Sequence, residues 1–161
     1  MNDATASDLR LDPGIDRDIY PMPSFPTFPV ADLDRSRAWY EAIGFVTLAV
    51  VPSPDGTPVV VHMRRMRHQD ILLVPGIAAP GYRTSFAAGG VDLTSVADAA
   101  RERADREGLG GSISGPERTP WFAFDVTAVD PDGYTVVLTA PLPEGSARND
   151  EWDRRVTGSV L

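Results

Sequence analysis

The chain has 161 residues, a formal charge of −8, no cysteine, and fifteen basic residues that are all arginine. Its acidity argues against nucleic acid as a partner, because phosphate binding needs a net basic surface or stripe. Without cysteine there is no disulfide framework and no thiolate metal site, and without lysine there is no Schiff-base chemistry. The N-terminus has neither a basic start nor an apolar run, and no segment reaches membrane-spanning length. A soluble, cytoplasmic protein with no membrane partner is therefore expected.

Residues 1–23 are polar and Asp-rich, with Pro13, Pro21 and Pro23, and read as an arm. Phe25–Val30 reads as the first strand, and its prolines remove ladder donors, which places it at a sheet edge. The stretch Phe28–Phe45, FPVADLDRSRAWYEAIGF, then passes from strand through turn to amphipathic helix. Asp32 or Asp34 caps this helix, Leu33, Ala38, Tyr40, Ala42 and Ile43 form its apolar stripe, and Gly44 ends it. Phe45–Val51 and Pro58–Arg65 are β-branched runs joined by the turn Pro54-Asp55-Gly56, which predicts a hairpin. Asp70–Val74 is the fourth strand, and the Arg64-Arg65-Met66-Arg67 run reads as a solvated face.

Gly76, Pro80 and Gly81 mark residues 76–84 as a linker. Ser85–Leu93 is the next strand, with Gly89-Gly90 allowing close backbone approach. A helix over Ser95–Glu107 is capped by Thr94 or Ser95 and carries Val96, Ala99, Ala100 and Ala104 on its apolar face. A short strand near 112–114, a loop over 115–120 and a strand from Trp121 to Val129 follow. Asp130-Pro131-Asp132-Gly133 is a turn, and Tyr134–Ala140 is the last strand. The order strand, helix, three strands thus occurs twice, over 24–75 and 85–141, and residues 142–161 read as a polar tail.

Two βαβββ units, a helix opening VADLDRSRAWYEAIGF and a closing DPDGYTVVLTAP resemble the vicinal oxygen chelate superfamily. That superfamily holds glyoxalase I, extradiol dioxygenases, fosfomycin resistance enzymes and bleomycin resistance proteins. The resemblance covers roughly residues 24–141 and implies an α+β fold, two βαβββ modules whose curved mixed sheets surround a cavity. It also implies a homodimer with grooves at the interface.

The enzymes of this superfamily bind a divalent metal through the first and last strand of each module. Counting from the helix starts and turns, the four ligand positions fall on Phe25, Leu72, Ala88 and Val137. None of them is an imidazole or a carboxylate, so no metal and no other cofactor is expected. Asp92 and Asp70 read as lone inward polar groups, and the histidines His62 and His68 lie in or after the third strand. No serine has a nucleophile-elbow context, and Gly89-Gly90 lacks dinucleotide-loop spacing.

Trp121, Phe122 and Phe124 follow Pro120, and bleomycin resistance proteins carry a similar Pro-Trp beside their drug groove. Strand alternation would send Phe122 and Phe124 to one side and Trp121 to the other. The candidate ligand-binding set is Trp121, Phe122, Phe124, Asp92, Thr27 and His62. The function expected is non-catalytic: sequestration of a small, flat, partly aromatic natural product, with aromatic stacking for affinity and an acid for orientation. The alternatives are a metal-dependent lyase, isomerase or dioxygenase of the same superfamily, and a metal-free enzyme using Asp92 or a histidine as base.

Overall fold

The structure is a computed structural model that describes residues 25–142. It contains two four-stranded mixed sheets and two helices. The first unit runs β1 (Thr27–Val30), α1 (Leu33–Ala42), β2 (Val46–Pro52), β3 (Pro58–Arg65) and β4 (Gln69–Pro75). The second runs β5 (Arg83–Ala87), α2 (Leu93–Glu107), β6 (Ser112–Arg118), β7 (Ala123–Val129) and β8 (Thr135–Pro141). Strand order is β1-β4-β3-β2 in one sheet and β5-β8-β7-β6 in the other, so the repeat seen in the sequence is a repeat of topology. In each sheet the first strand pairs in parallel with the last, and the other pairings are antiparallel. No described helix is long and apolar enough to cross a membrane.

Strand β1 lies at an edge, where prolines are tolerated because no neighbour needs the missing N–H groups. Asp32 caps α1 by accepting a hydrogen bond from the Arg35 amide at 2.9 Å, and Gly44, at φ 97°, takes the chain out of the helix.

The second unit departs from expectation in four places. Strand β5 ends at Ala87, because the Gly89-Gly90 turn intervenes, and Asp92 rather than Thr94 or Ser95 is the N-cap of α2. Its carboxylate accepts from the Thr94 and Ser95 amides at 3.0 and 3.1 Å. Strand β6 continues through the expected loop to Arg118 by way of a bulge after Ser114. Strand β7 starts at Ala123, not Trp121: Phe122 sits at φ 60°, which breaks the extended run and leaves Trp121 and Phe122 in the β6–β7 turn.

One apolar core serves both units. Phe28, Trp39, Tyr40, Ile43, Met63, Ile71 and Leu73 of the first pack into the same cluster as Ala97, Ala100, Val126, Tyr134, Val136 and Leu138 of the second. The Asp130–Gly133 turn locks the two together. Asp130 accepts from the Tyr40 hydroxyl at 2.9 Å and from the Tyr134 amide at 2.9 Å. Tyr134 stacks on Phe28 with ring centroids 4.7 Å apart, and its hydroxyl donates to the Pro29 carbonyl at 2.8 Å. Asp132 accepts from the Ala31 amide at 3.1 Å. The turn that closes the second unit thus supplies partners for β1, the loop after it and α1.

Burial pushes the Asp130 carboxyl above its ordinary range, against the opposing pull of its hydrogen bonds. Burial, then the Asp130 charge, push the Tyr40 phenol up as well. Where the folded carboxyl holds a proton that the unfolded chain has released, stability falls as pH rises, from the unfolded pKa through the raised folded one. Asp130→Asn should flatten that acid-side slope in denaturation midpoints measured from about pH 3 upward. Tyr40→Phe should lower unfolding free energy at neutral pH by about 1.5–3 kcal/mol, the range for a hydrogen bond to a charged group, read by chemical denaturation.

Candidate ligand-binding site

Each sheet has one face in the core and one face away from it, because side chains alternate along a strand and partners in register share a side. In the first sheet Phe28, Val61, Met63, Ile71 and Leu73 face the core. Thr27, His62, Arg64, Asp70 and Leu72 face the other way, with Thr27 opposite Leu72, Leu72 opposite His62, and Arg64 opposite Asp70. In the second sheet Phe124, Val126, Ala128, Val136 and Leu138 face the core. The outer face there carries Ser85, Asp125, Thr127, Thr135, Val137 and Thr139 in register.

The outer face of the first sheet is built around a buried charge cluster. Arg64 is 0% exposed, Asp70 2% and His62 4%. Arg64 grips both oxygens of Asp70, Nε to Oδ1 at 2.5 Å and Nη2 to Oδ2 at 2.8 Å. His62 Nε2 contacts Asp70 Oδ2 at 2.5 Å, and the Phe25 ring lies 5.8 Å from the imidazole. Arg64 and Arg65 are therefore not part of a solvated face, and of the run only Arg67 is exposed. Arg64 and Arg65 are both buried, and alternation sends them to opposite sides of β3. Burial brings the Arg65 guanidinium down to about 10, and its Nη1 donates to Gln69 at 3.2 Å.

Three of the four positions read as metal slots lie on strands or beside them as expected: Phe25 against His62, Leu72 between Thr27 and His62, and Val137 on the outer face of β8. Ala88 does not. It is a core residue, and with α2 capped at Asp92 the offset that links Phe25 to Asp32 picks out Ser85, which pairs with Val137. The corrected set of Phe25, Leu72, Ser85 and Val137 still contains no imidazole or carboxylate. It does not fit a divalent cation. Among the described residues no three His, Asp or Glu side chains converge as a metal site.

The six candidate residues fall in three places. Thr27 and His62 share the outer face of the first sheet. Trp121, 53% exposed, and Phe122 form the β6–β7 turn. Phe124 and Asp92 come together on the helix side of the second sheet, where they line a cavity of about 250 Å³ with Leu93, Pro116, Ala140 and Pro141. Asp92 is committed to its cap: the Ser95 hydroxyl donates to it at 2.6 Å, and that bond leads the interactions holding its carboxyl below the usual range. Sequence reading missed Arg64 as a partner of Asp70, a pairing signalled only by their distance from the β3–β4 turn. It also missed Asp125, whose strand alternation is plain once β7 is in register.

Comparison with solved structures finds the same architecture repeatedly. A glyoxalase-related enzyme from Clostridium phytofermentans matches with a TM-score of 0.59 at 16% identity, covering 79% of this chain and 100% of that one. An antibiotic-binding protein from Streptomyces sp. CB03234 matches at 0.56 and 24% identity, over 75% of this chain and 98% of that one. A bleomycin resistance determinant encoded on the transposon Tn5 matches at 0.52 and 21% identity, over 74% and 98%. No protein-family model and no curated protein matches the sequence.

Removing one member of a buried ion pair strands the other. Asp70→Ala should therefore lower unfolding free energy by about 3–5 kcal/mol, measured by urea denaturation. His68→Ala, in the exposed β3–β4 turn, should change it by less than about 0.5 kcal/mol.

Proposed function

We propose that this chain, which has the glyoxalase and bleomycin resistance fold of the vicinal oxygen chelate superfamily, is a metal-free binding protein that sequesters a small, partly aromatic natural product. The observation that carries this reading is the donor set. At the four strand positions where enzymes of this fold hold their metal, this chain presents Phe25, Leu72, Ser85 and Val137, which can line a pocket but cannot ligate a hard or borderline cation. The polar groups beside them, Thr27 and His62 on one sheet and hydroxyls on the other, suit hydrogen bonding to an organic ligand. Trp121 is a half-exposed indole at the tip of a hairpin, available for stacking on a flat ring. Phe122 shares the turn with Trp121, and Phe124 and Asp92 line a separate cavity on the helix side of the second sheet. Two of the solved structures of this fold are an antibiotic-binding protein and a bleomycin resistance determinant, which supports a resistance role; a cytoplasmic location is part of the same proposal.

A homodimer goes with this reading. Val50 and Val51 are 40% and 46% exposed on β2, an edge strand whose run from Val46 to Pro52 carries no charge. Uncharged, apolar edges invite pairing. Light scattering at micromolar concentration should show two chains per particle, and a monomer would confine the ligand to one chain.

A second reading rests on the short His62–Asp70 contact, which resembles a base held by its orienting carboxylate, and makes the chain a metal-free enzyme. Recovery of the ligand chemically altered after incubation with wild-type protein but not with His62→Gln favours it. Recovery unaltered favours sequestration. A stoichiometric divalent ion, retained by side chains in protein purified without added metal, would overturn both.

Trp121→Ala tests where the ligand stacks. With the ring half in solvent, stability should change by less than about 0.5 kcal/mol. Affinity for a flat aromatic ligand should fall by about 0.5–1.5 kcal/mol beyond the lost contact area, with loss of the tryptophan quench that binding produces in the wild type. Trp39 is buried in the core and should not report the ligand.

A further inference from the structure

Strand edges left open to solvent are ordinarily blunted by proline or charge. Three of the four edges described here are: β1 holds Pro29, β5 starts at Arg83, and β6 carries Pro116, Glu117 and Arg118. Strand β2 is the exception. It pairs only with β3, and although its register shifts near Leu48 it has no charged side chain, with its single proline in last place.

The two ends of β2 carry different features. At its far end the β2–β3 hairpin projects Val50, Val51 and Val59, 40%, 46% and 37% exposed, with Pro52 and Pro58 beside them. Val50 stands opposite the core residue Val61, and Val59 is two residues from Val61, so alternation puts both on the helix side of the sheet, beyond the end of the core. The one charge at this tip, Asp55, is engaged in the turn, where it accepts from the Ser53 hydroxyl at 2.5 Å and the Thr57 amide at 2.9 Å. At the near end, on the same helix side, a groove of about 630 Å³ opens between the end of α1, the start of β2 and the first turns of α2. Ala42, Phe45, Val46, Val96 and Ala99 form its apolar walls. Its charges, Glu41 and Arg103, pair with each other at 3.2 Å, and the Thr47 hydroxyl donates to Glu41 at 3.0 Å.

A two-fold axis normal to the sheet at the middle of β2 joins these observations. It sets the β2 strands of two copies antiparallel, keeps both helix layers on one side, and brings the hairpin tip of each copy beside the groove of the other. We propose that the β2 edge and the helix-side groove form one docking surface for a second copy of this chain, with Val50 and Val59 of each protomer seated in the groove of the other. This rests on the homodimer proposed above and assigns its surface; the ligand site is separate from it. A chain cannot cover its own groove in this way, because its tip and its groove lie at opposite ends of a seven-residue strand.

The test is the dimer dissociation constant of the full chain, measured by analytical ultracentrifugation. Replacing both Val50→Asp and Val59→Asp sets two carboxylates against apolar walls and should raise the constant at least about ten-fold. Ala99→Arg, on an exposed position of α2, obstructs the groove and should do the same. Ile77→Asp, at a 92% exposed position in the segment between the units, should leave it unchanged. Cross-linking reads the contact without disrupting it. The chain has no cysteine, so Val59→Cys and Ala99→Cys chains, mixed and treated with a short bismaleimide, should join as a pair containing one of each, and Val59→Cys alone should not, because the two tips lie at opposite ends of the paired strands. A monomeric wild type would overturn both this surface and the homodimer, leaving the ligand reading standing. A dimer indifferent to the tip and groove changes, or one whose tips cross-link to each other, would overturn the surface alone. Weakening by the tip change without weakening by Ala99→Arg would show edge pairing without the groove and overturn the docking.

Discussion

The hydrogen bond from the Tyr40 hydroxyl to Asp130 holds the two halves of this molecule in register. The buried residues of both units form one cluster, and α1 meets the β7–β8 turn across it. Asp130 makes that meeting directional. Its carboxylate is saturated by Tyr40 on one side and by the amides of Asp132 and Tyr134 on the other, so the turn cannot slide along α1 without orphaning buried groups. Tyr134 adds a stacked ring against Phe28 and a hydroxyl to the β1 carbonyl. Apolar burial drives the association, and the polar contacts choose one geometry for it.

Once the core faces are committed, the opposite faces of the sheets are free to be polar, and they are polar in different ways. The first sheet closes its charges on themselves: Arg64, His62 and Asp70 form a cluster in which the carboxylate is fully engaged. Such a cluster is weak evidence for added stability, since desolvation opposes the attraction, but it resists loss of either partner. The second sheet does the reverse. Among the described residues, Asp125 there has one buried oxygen, Oδ1, with no hydrogen-bond donor, while the residue as a whole is partly exposed.

The fold alone does not decide activity. The same βαβββ pair occurs in a glyoxalase-related enzyme and in an antibiotic-binding protein, and on the reading proposed above what separates the two activities is a handful of strand positions. Here those positions carry Phe25, Leu72, Ser85 and Val137. A hydroxyl and three apolar groups shape a surface and leave catalysis to other residues.

Local signals in the sequence were strong enough to determine the repeat, the strand and helix types, an acidic cap at Asp32 or Asp34, the edge position of β1 and the Asp130–Gly133 turn. Each of these rests on neighbours within a few residues: proline without an N–H, a carboxylate three residues from an orphan amide, a glycine where φ turns positive. A count along the chain sufficed for three of the positions read as metal slots, Phe25, Leu72 and Val137, but not for the fourth, which moved from Ala88 to Ser85. Only the tertiary structure could decide the rest. Whether Arg64 was solvated depended on Asp70 returning opposite it across a hairpin. Whether Asp92 capped a helix or faced a ligand depended on where β5 stopped. The strained Phe122 backbone moved Trp121 from a strand into a turn, which no alternation rule anticipates. Glu117 rather than Pro116 stands across from Asp125 only because of the β6 bulge, itself invisible in composition or period. These are long-range pairings, and a pairing partner tens of residues away leaves no periodic mark on the segment it will meet.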